Sequence, residues 1–119
     1  MNTFRTLAAG LLVSATAISA ASAATPNSRL YDAVAGQDTV IDLSICSQSV
    51  DINVAGAGNT DLDFYVYDWE GFEIYANEET ADWMSATFTQ DFEGCGEYQL
   101  HVFNNGAEHN RFVVRLTDL

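Results

Sequence analysis

Apolar residues recur at every second position along most of this chain, and no other feature of the sequence limits its fold as tightly. Ile41, Leu43 and Ile45 alternate with Asp42 and Ser44, while Val50, Ile52 and Val54 alternate with Asp51 and Asn53. Successive side chains of a strand point to opposite faces, so each set turns an apolar face inward and a polar face outward. The spacing returns in Leu62, Phe64 and Val66, in Met84 to Thr89, in Tyr98, Leu100 and Val102, and in Phe112, Val114 and Leu116. Breaker clusters separate these runs: Ala55-Gly56-Ala57-Gly58-Asn59, Gly94-Cys95-Gly96 and Asn104-Asn105-Gly106. Asp68-Trp69-Glu70-Gly71 has the Asp and Gly of a type I turn, with Phe72 to Tyr75 as its returning strand. Asn77 to Asp82 reads as an acidic loop, and Glu78 to Met84 could form one helical turn. Roughly six to eight short strands and no convincing helix predict an all-β chain folded as an antiparallel jelly-roll-like β-sandwich.

The N-terminus has a different character. One positive charge lies in Met1 to Arg5, Leu7 to Ala20 is apolar or small throughout, and Ala21-Ser22-Ala23 has small residues where a signal peptidase reads. This predicts a secretory signal peptide over residues 1–23, cleaved near Ala23, and a secreted or periplasmic product. The apolar run is shorter than a membrane span needs, and no second run follows, so no membrane span is expected. Residues 24–29 read as a short lead-in containing the one proline, Pro26, and residues 30–119 as a single domain.

Beyond residue 23 the formal cations are Arg29, Arg111 and Arg115, set against 17 Asp and Glu, which leaves a charge of −14. Phosphate backbones are bound through clustered Lys and Arg, so nucleic acid is excluded as a partner. An acidic surface of this kind suits solubility, cation binding or a basic partner. Cys46 and Cys95 are the two cysteines of a chain expected to be exported, where a disulfide between them is the natural state. Zinc is disfavoured, because neither has a Cys or His neighbour at ligand spacing.

The run Gly58-Asn59-Thr60-Asp61-Leu62-Asp63-Phe64-Tyr65-Val66-Tyr67-Asp68, the turn ending at Gly71, and the later Gly96-Glu97-Tyr98-Gln99-Leu100-His101-Val102-Phe103-Asn104 resemble the bacterial pre-peptidase C-terminal domain. Phe112 stands where that family usually has Tyr in its closing strand. The resemblance implies a non-catalytic jelly-roll-like sandwich of the kind appended to secreted hydrolases, with roles in substrate or matrix binding, export or maturation. Its collagen-binding relatives use calcium. With residues 30–119 read as a single domain, no attached enzyme is expected, which leaves the borrowed role open.

Asp61, Asp63 and Asp68 are candidate calcium ligands, with Glu70, Glu78, Glu79 and Asp82 as further oxygen donors. The spacing is not that of an EF-hand loop, and the other reading has Asp61 and Asp68 accepting backbone N–H groups at a strand start and a turn. Tyr65, Tyr67, Trp69 and Tyr75 are the candidate ligand-binding residues, since aromatic anchors dominate many recognition surfaces. The outward faces of the central strands carry Tyr65, Tyr67, His101 and Phe103, either under a second layer or as a binding surface. Arg111, Val113 and Arg115 share the outward face of the last strand. His101 and His109 lie in no nucleophile motif, and no catalytic residue is expected. The sequence therefore predicts an exported binding or accessory module for an extracellular protein, matrix or polysaccharide, needing no cofactor unless calcium assists. The alternatives are a self-associating structural or envelope protein and, more weakly, a small hydrolase.

Overall fold

The computed structural model describes residues 27–58 and 60–119. The expected signal segment and cleavage point lie outside the described residues. Eight strands form: β1 (Asn27–Ala33), β2 (Asp38–Ile45), β3 (Ser49–Gly56), β4 (Leu62–Tyr67), β5 (Glu73–Asn77), β6 (Trp83–Thr89), β7 (Gly96–Asn104) and β8 (Asn110–Asp118). Residues 79–82 are bends and 83–84 already belong to β6, so the helical turn considered for Glu78 to Met84 does not form. β1 starts at Asn27, inside the segment expected to be a lead-in. Its alternation is blurred in the sequence because Leu30 faces outward, 60% exposed, while the inward face holds Tyr31 and the small Ala33.

The strands pair by nesting. β1 pairs with β8, β2 with β7, β3 with β6 and β4 with β5, all antiparallel, as in one long hairpin folded over on itself. Lateral pairing of β3 with β8 and of β4 with β7 completes two sheets. Sheet A runs β1-β8-β3-β6 and sheet B runs β2-β7-β4-β5, the jelly-roll order. The apolar faces meet between the sheets. Ile52, Val54, Phe112 and Val114 of sheet A pack with Leu43, Phe64, Val66, Leu100 and Val102 of sheet B, all of them buried. At about 25 cal/mol per Å² of apolar area removed from water, this shared layer is the main force holding the sheets together.

A disulfide joins Cys46 to Cys95. Ile45 and Gly96 are partners in the β2/β7 register, so the bridge clamps the end of that pair. Beside it, buried Gln90 donates to the Ile45 carbonyl at 3.3 Å and the Gly94 carbonyl at 2.9 Å, and accepts from the Tyr98 hydroxyl at 2.8 Å. The β4/β5 hairpin turns as its residues require. The Gly71 amide donates to the Asp68 carbonyl at 3.0 Å, and Gly71 holds φ at +85°, a conformation that side-chain-bearing residues rarely adopt.

Candidate functional site

Alternation along the strands of sheet B and their registers together lay its outward side chains out in rows. One row is Val40, His101, Tyr65 and Ala76 across β2, β7, β4 and β5. On one side of it lie Asp38, Phe103 and Asp63, and on the other Asp42, Gln99, Tyr67 and Glu73. Tyr65, Tyr67, His101 and Phe103 are half-buried by one another and by neighbouring side chains in this single layer. The Tyr67 ring meets the His101 imidazole edge-on with centroids 4.7 Å apart. His101 Nδ1 lies 3.0 Å from the Asp38 carboxylate and its Nε2 lies 3.2 Å from Gln99 Oε1, so both ring nitrogens are engaged. Among the described residues, the ring's hydrogen-bond partners are a carboxylate and an amide oxygen.

Tyr65 donates its hydroxyl to Glu78 at 2.6 Å, tying the row to the loop after β5. That bond, followed by burial and nearby carboxylates, raises the Tyr65 pKa well above the ordinary tyrosine value. Asp63 is on the outward face but only 8% exposed. Its Oδ1 and that of Asp61 are buried with no hydrogen-bond partner. Burial pushes the Asp63 carboxyl pKa up, and the charges of Asp61 and Glu78 push it further the same way. A buried carboxylate is ordinarily satisfied by N–H donors or a cation, so two orphaned oxygens on either side of Leu62 form a cation-seeking arrangement. Among the described residues, no group of three or more His, Cys, Asp and Glu side chains is assembled to hold a metal. A cation here would take further oxygens from backbone or water.

The other candidates are dispersed. Asp68 lies at the far end of β4, where its Oδ1 accepts the Glu70 and Phe72 amides at 2.9 Å each, so it serves the turn and does not join Asp61 and Asp63. Tyr75 stands opposite Val66 on the inward face, packed on the core and edge-on to Phe88 at 5.8 Å. Trp69 is 51% exposed, yet its ring sits edge-on to Phe92 at 4.9 Å and to Tyr98 at 5.6 Å, capping the disulfide end of the sandwich. Of the four candidate aromatics, then, Tyr65 and Tyr67 alone share the outer face of sheet B.

Sheet A presents a different surface. Its registers align Leu30, Val113, Ala55 and Trp83 in an exposed apolar row spanning all four strands. Arg111 and Arg115 flank Val113 on β8. Arg111 Nε lies 3.3 Å from Asp32 Oδ1, and His109 Nε2 reaches the same oxygen at 3.2 Å. The strands of sheet A hold three arginines against Asp32, Asp51 and Asp118, so their charges balance. The strands of sheet B hold no Lys or Arg against Asp38, Asp42, Asp63, Glu73 and Glu97. Nothing in the linear order of the chain signals this segregation, because β1 and β8 come from its two ends.

Comparison with known proteins finds no family model that matches the chain and no match among curated proteins, so the pre-peptidase C-terminal likeness rests on the quoted segments.

Proposed function

We propose that this protein is an exported, non-catalytic binding module of the periplasm or the cell exterior, and that the outer face of sheet B is its recognition surface. The observation that carries this is the clustering of Tyr65, Tyr67, His101 and Phe103 among Asp38, Asp42 and Glu73 on a face without a single Lys or Arg. Half-exposed aromatic rings beside carboxylates suit a cationic partner, since Lys and Arg side chains can lie on the rings while their charged ends meet the acids. The ligand class is therefore a basic stretch of an extracellular protein or matrix polymer. The likeness to pre-peptidase C-terminal domains and the disulfide, which favours an oxidising compartment, support the same reading. Asp61 and Asp63 would hold a calcium ion that steadies the loop beside this face, without taking part in any reaction.

The test is retention on an immobilised basic polypeptide, with a neutral polysaccharide as comparison, with and without calcium. Tyr67→Ala and the Asp38→Asn/Asp42→Asn pair should each reduce retention on the basic matrix by about tenfold, the usual cost of a good interface anchor. Unchanged retention in both would end the proposal. The apolar row on sheet A favours a second reading, a self-associating envelope protein.

A further inference from the structure

We infer that a second copy of this chain docks on sheet A, presenting the outer face of its own sheet B, so that the molecules assemble head to tail. The inference rests on sheet B being a recognition surface and names one partner for it. Its basis is a matched pair of triplets. On β8, Val113 lies between Arg111 and Arg115, all three outward and exposed. On β2, Val40 lies between Asp38 and Asp42, all three outward and exposed.

Residues four apart on a strand are separated by about 13 Å, so the two triplets have the same length. Each is symmetric about its valine, so the charges match whether the facing strands run parallel or antiparallel. With β2 of one copy over β8 of the other, in the one of these two orientations that sets β7 on the β3 side, β7 and β4 fall over β3 and β6, because strand spacing is about 4.8 Å in both sheets. His101 then meets the small Ala55, and Tyr65 meets Trp83, which is 59% exposed. The apolar rows supply the buried area, and the charges select which two faces meet.

Charge also rules out the competing arrangements between copies. Sheet B against sheet B sets carboxylates against carboxylates in a protein already at −14 beyond residue 23. Sheet A against sheet A, turned about its apolar row, sets Arg111 against Arg115. Arg115 has no ion-pair partner among the described residues. Arg111 shares Asp32 with His109, and the Arg111 and Asp32 side chains are 65% and 62% exposed, which leaves them open to a second carboxylate. The overlap is about three strands wide, toward the low end of specific interfaces, so association should be concentration-dependent and weakened by salt. A head-to-tail contact that does not close produces a filament, and one that does produces a ring.

The experiment is sedimentation velocity on the exported, disulfide-bonded protein across a concentration range at low and high salt. Wild type should show species larger than a monomer that diminish in high salt. Arg111→Glu/Arg115→Glu and Asp38→Lys/Asp42→Lys should each sediment as monomers. Mixed in equal amounts, they should recover assembly beyond a dimer, since the unaltered faces still match and the two reversed faces, one now acidic and the other basic, match each other. The neutral pairs Arg111→Gln/Arg115→Gln and Asp38→Asn/Asp42→Asn, with near-ultraviolet circular dichroism, guard against misfolding. Wild type that stays monomeric throughout overturns the inference, as does self-association that survives both Asp38/Asp42 pairs. Retention on the basic matrix that persists while wild type stays monomeric removes this inference and leaves the recognition surface standing.

Discussion

Asp61 and Asp63 each bury a carboxylate oxygen that accepts no hydrogen bond, one on either side of Leu62 at the start of β4. The Asp63 carboxyl has its pKa raised above the ordinary 3.8, chiefly by burial and then by Asp61 and Glu78. A carboxyl with a raised folded pKa contributes most to stability below its unfolded value and loses that contribution as pH rises through the folded one. Without divalent cations, the melting temperature should therefore rise as pH is lowered from 7 toward the region just above 3.8, before general acid effects intervene. Asp63→Asn should be more stable than wild type at pH 7 and should flatten that part of the profile. A destabilised Asp63→Asn protein at pH 7 would contradict this.

Calcium should act on the same pair. Millimolar calcium should raise the wild-type melting temperature and EDTA should reverse the rise, because an ion that binds only the folded state stabilises it by mass action. Asp68→Asn should keep the response, since its carboxylate serves the turn, and Asp63→Asn should lose it. A wild-type melting temperature indifferent to both calcium and EDTA removes the cation from the account.

The Cys46–Cys95 bridge spans a sequence separation of 49. In the chain-entropy account such a loop contributes about 4 kcal/mol. Urea titration of the reduced protein, or of Cys46→Ser/Cys95→Ser, should show a loss of that order. A loss below about 1 kcal/mol would mean that the β2/β7 pair holds its end without the clamp.

Asn104 is fully buried, and its side chain donates to the Ala33 and Glu108 carbonyls at 2.9 and 2.8 Å while accepting the Gly106 amide at 2.9 Å. Asn104→Ala orphans those backbone groups, at roughly 2 to 4 kcal/mol. The melting temperature should fall by about 10 °C or more in a domain of this size.

Trp69 and Tyr67 should separate stability from binding. Trp69→Ala removes ring contacts to Phe92 and Tyr98 and should cost about 1 to 2 kcal/mol while leaving retention on a basic matrix intact. Tyr67→Ala should do the reverse. If Trp69→Ala abolishes retention and Tyr67→Ala does not, the recognition surface lies at the disulfide end instead.

Much of the sandwich is legible residue by residue. Leu62, Phe64 and Val66 are buried as their alternation requires, and Asp68 to Gly71 form a turn with the expected Asp68 to Gly71 hydrogen bond. The strand at residues 27–33 is hidden because an edge strand with an outward leucine and an inward alanine has no clear period. Tyr75 looks like a partner of Tyr65 and Tyr67, but the register irregularity between Val66 and Tyr67 lies next to it, and pairing with Val66 puts it on the inner face.

By itself, the sequence determined the strand content, the cysteine pair and the surplus of acid, because alternation, spacing and charge are local or additive properties of a chain. Only the tertiary structure decided where the charges stand. Nested pairing brings Asp32 of the first strand beside Arg111 of the last in sheet A, and gathers strands that carry only acids into sheet B. A chain with a large surplus of acid thus acquires one balanced face and one acidic face. That asymmetry comes from strand order, set by contacts between residues far apart in the sequence.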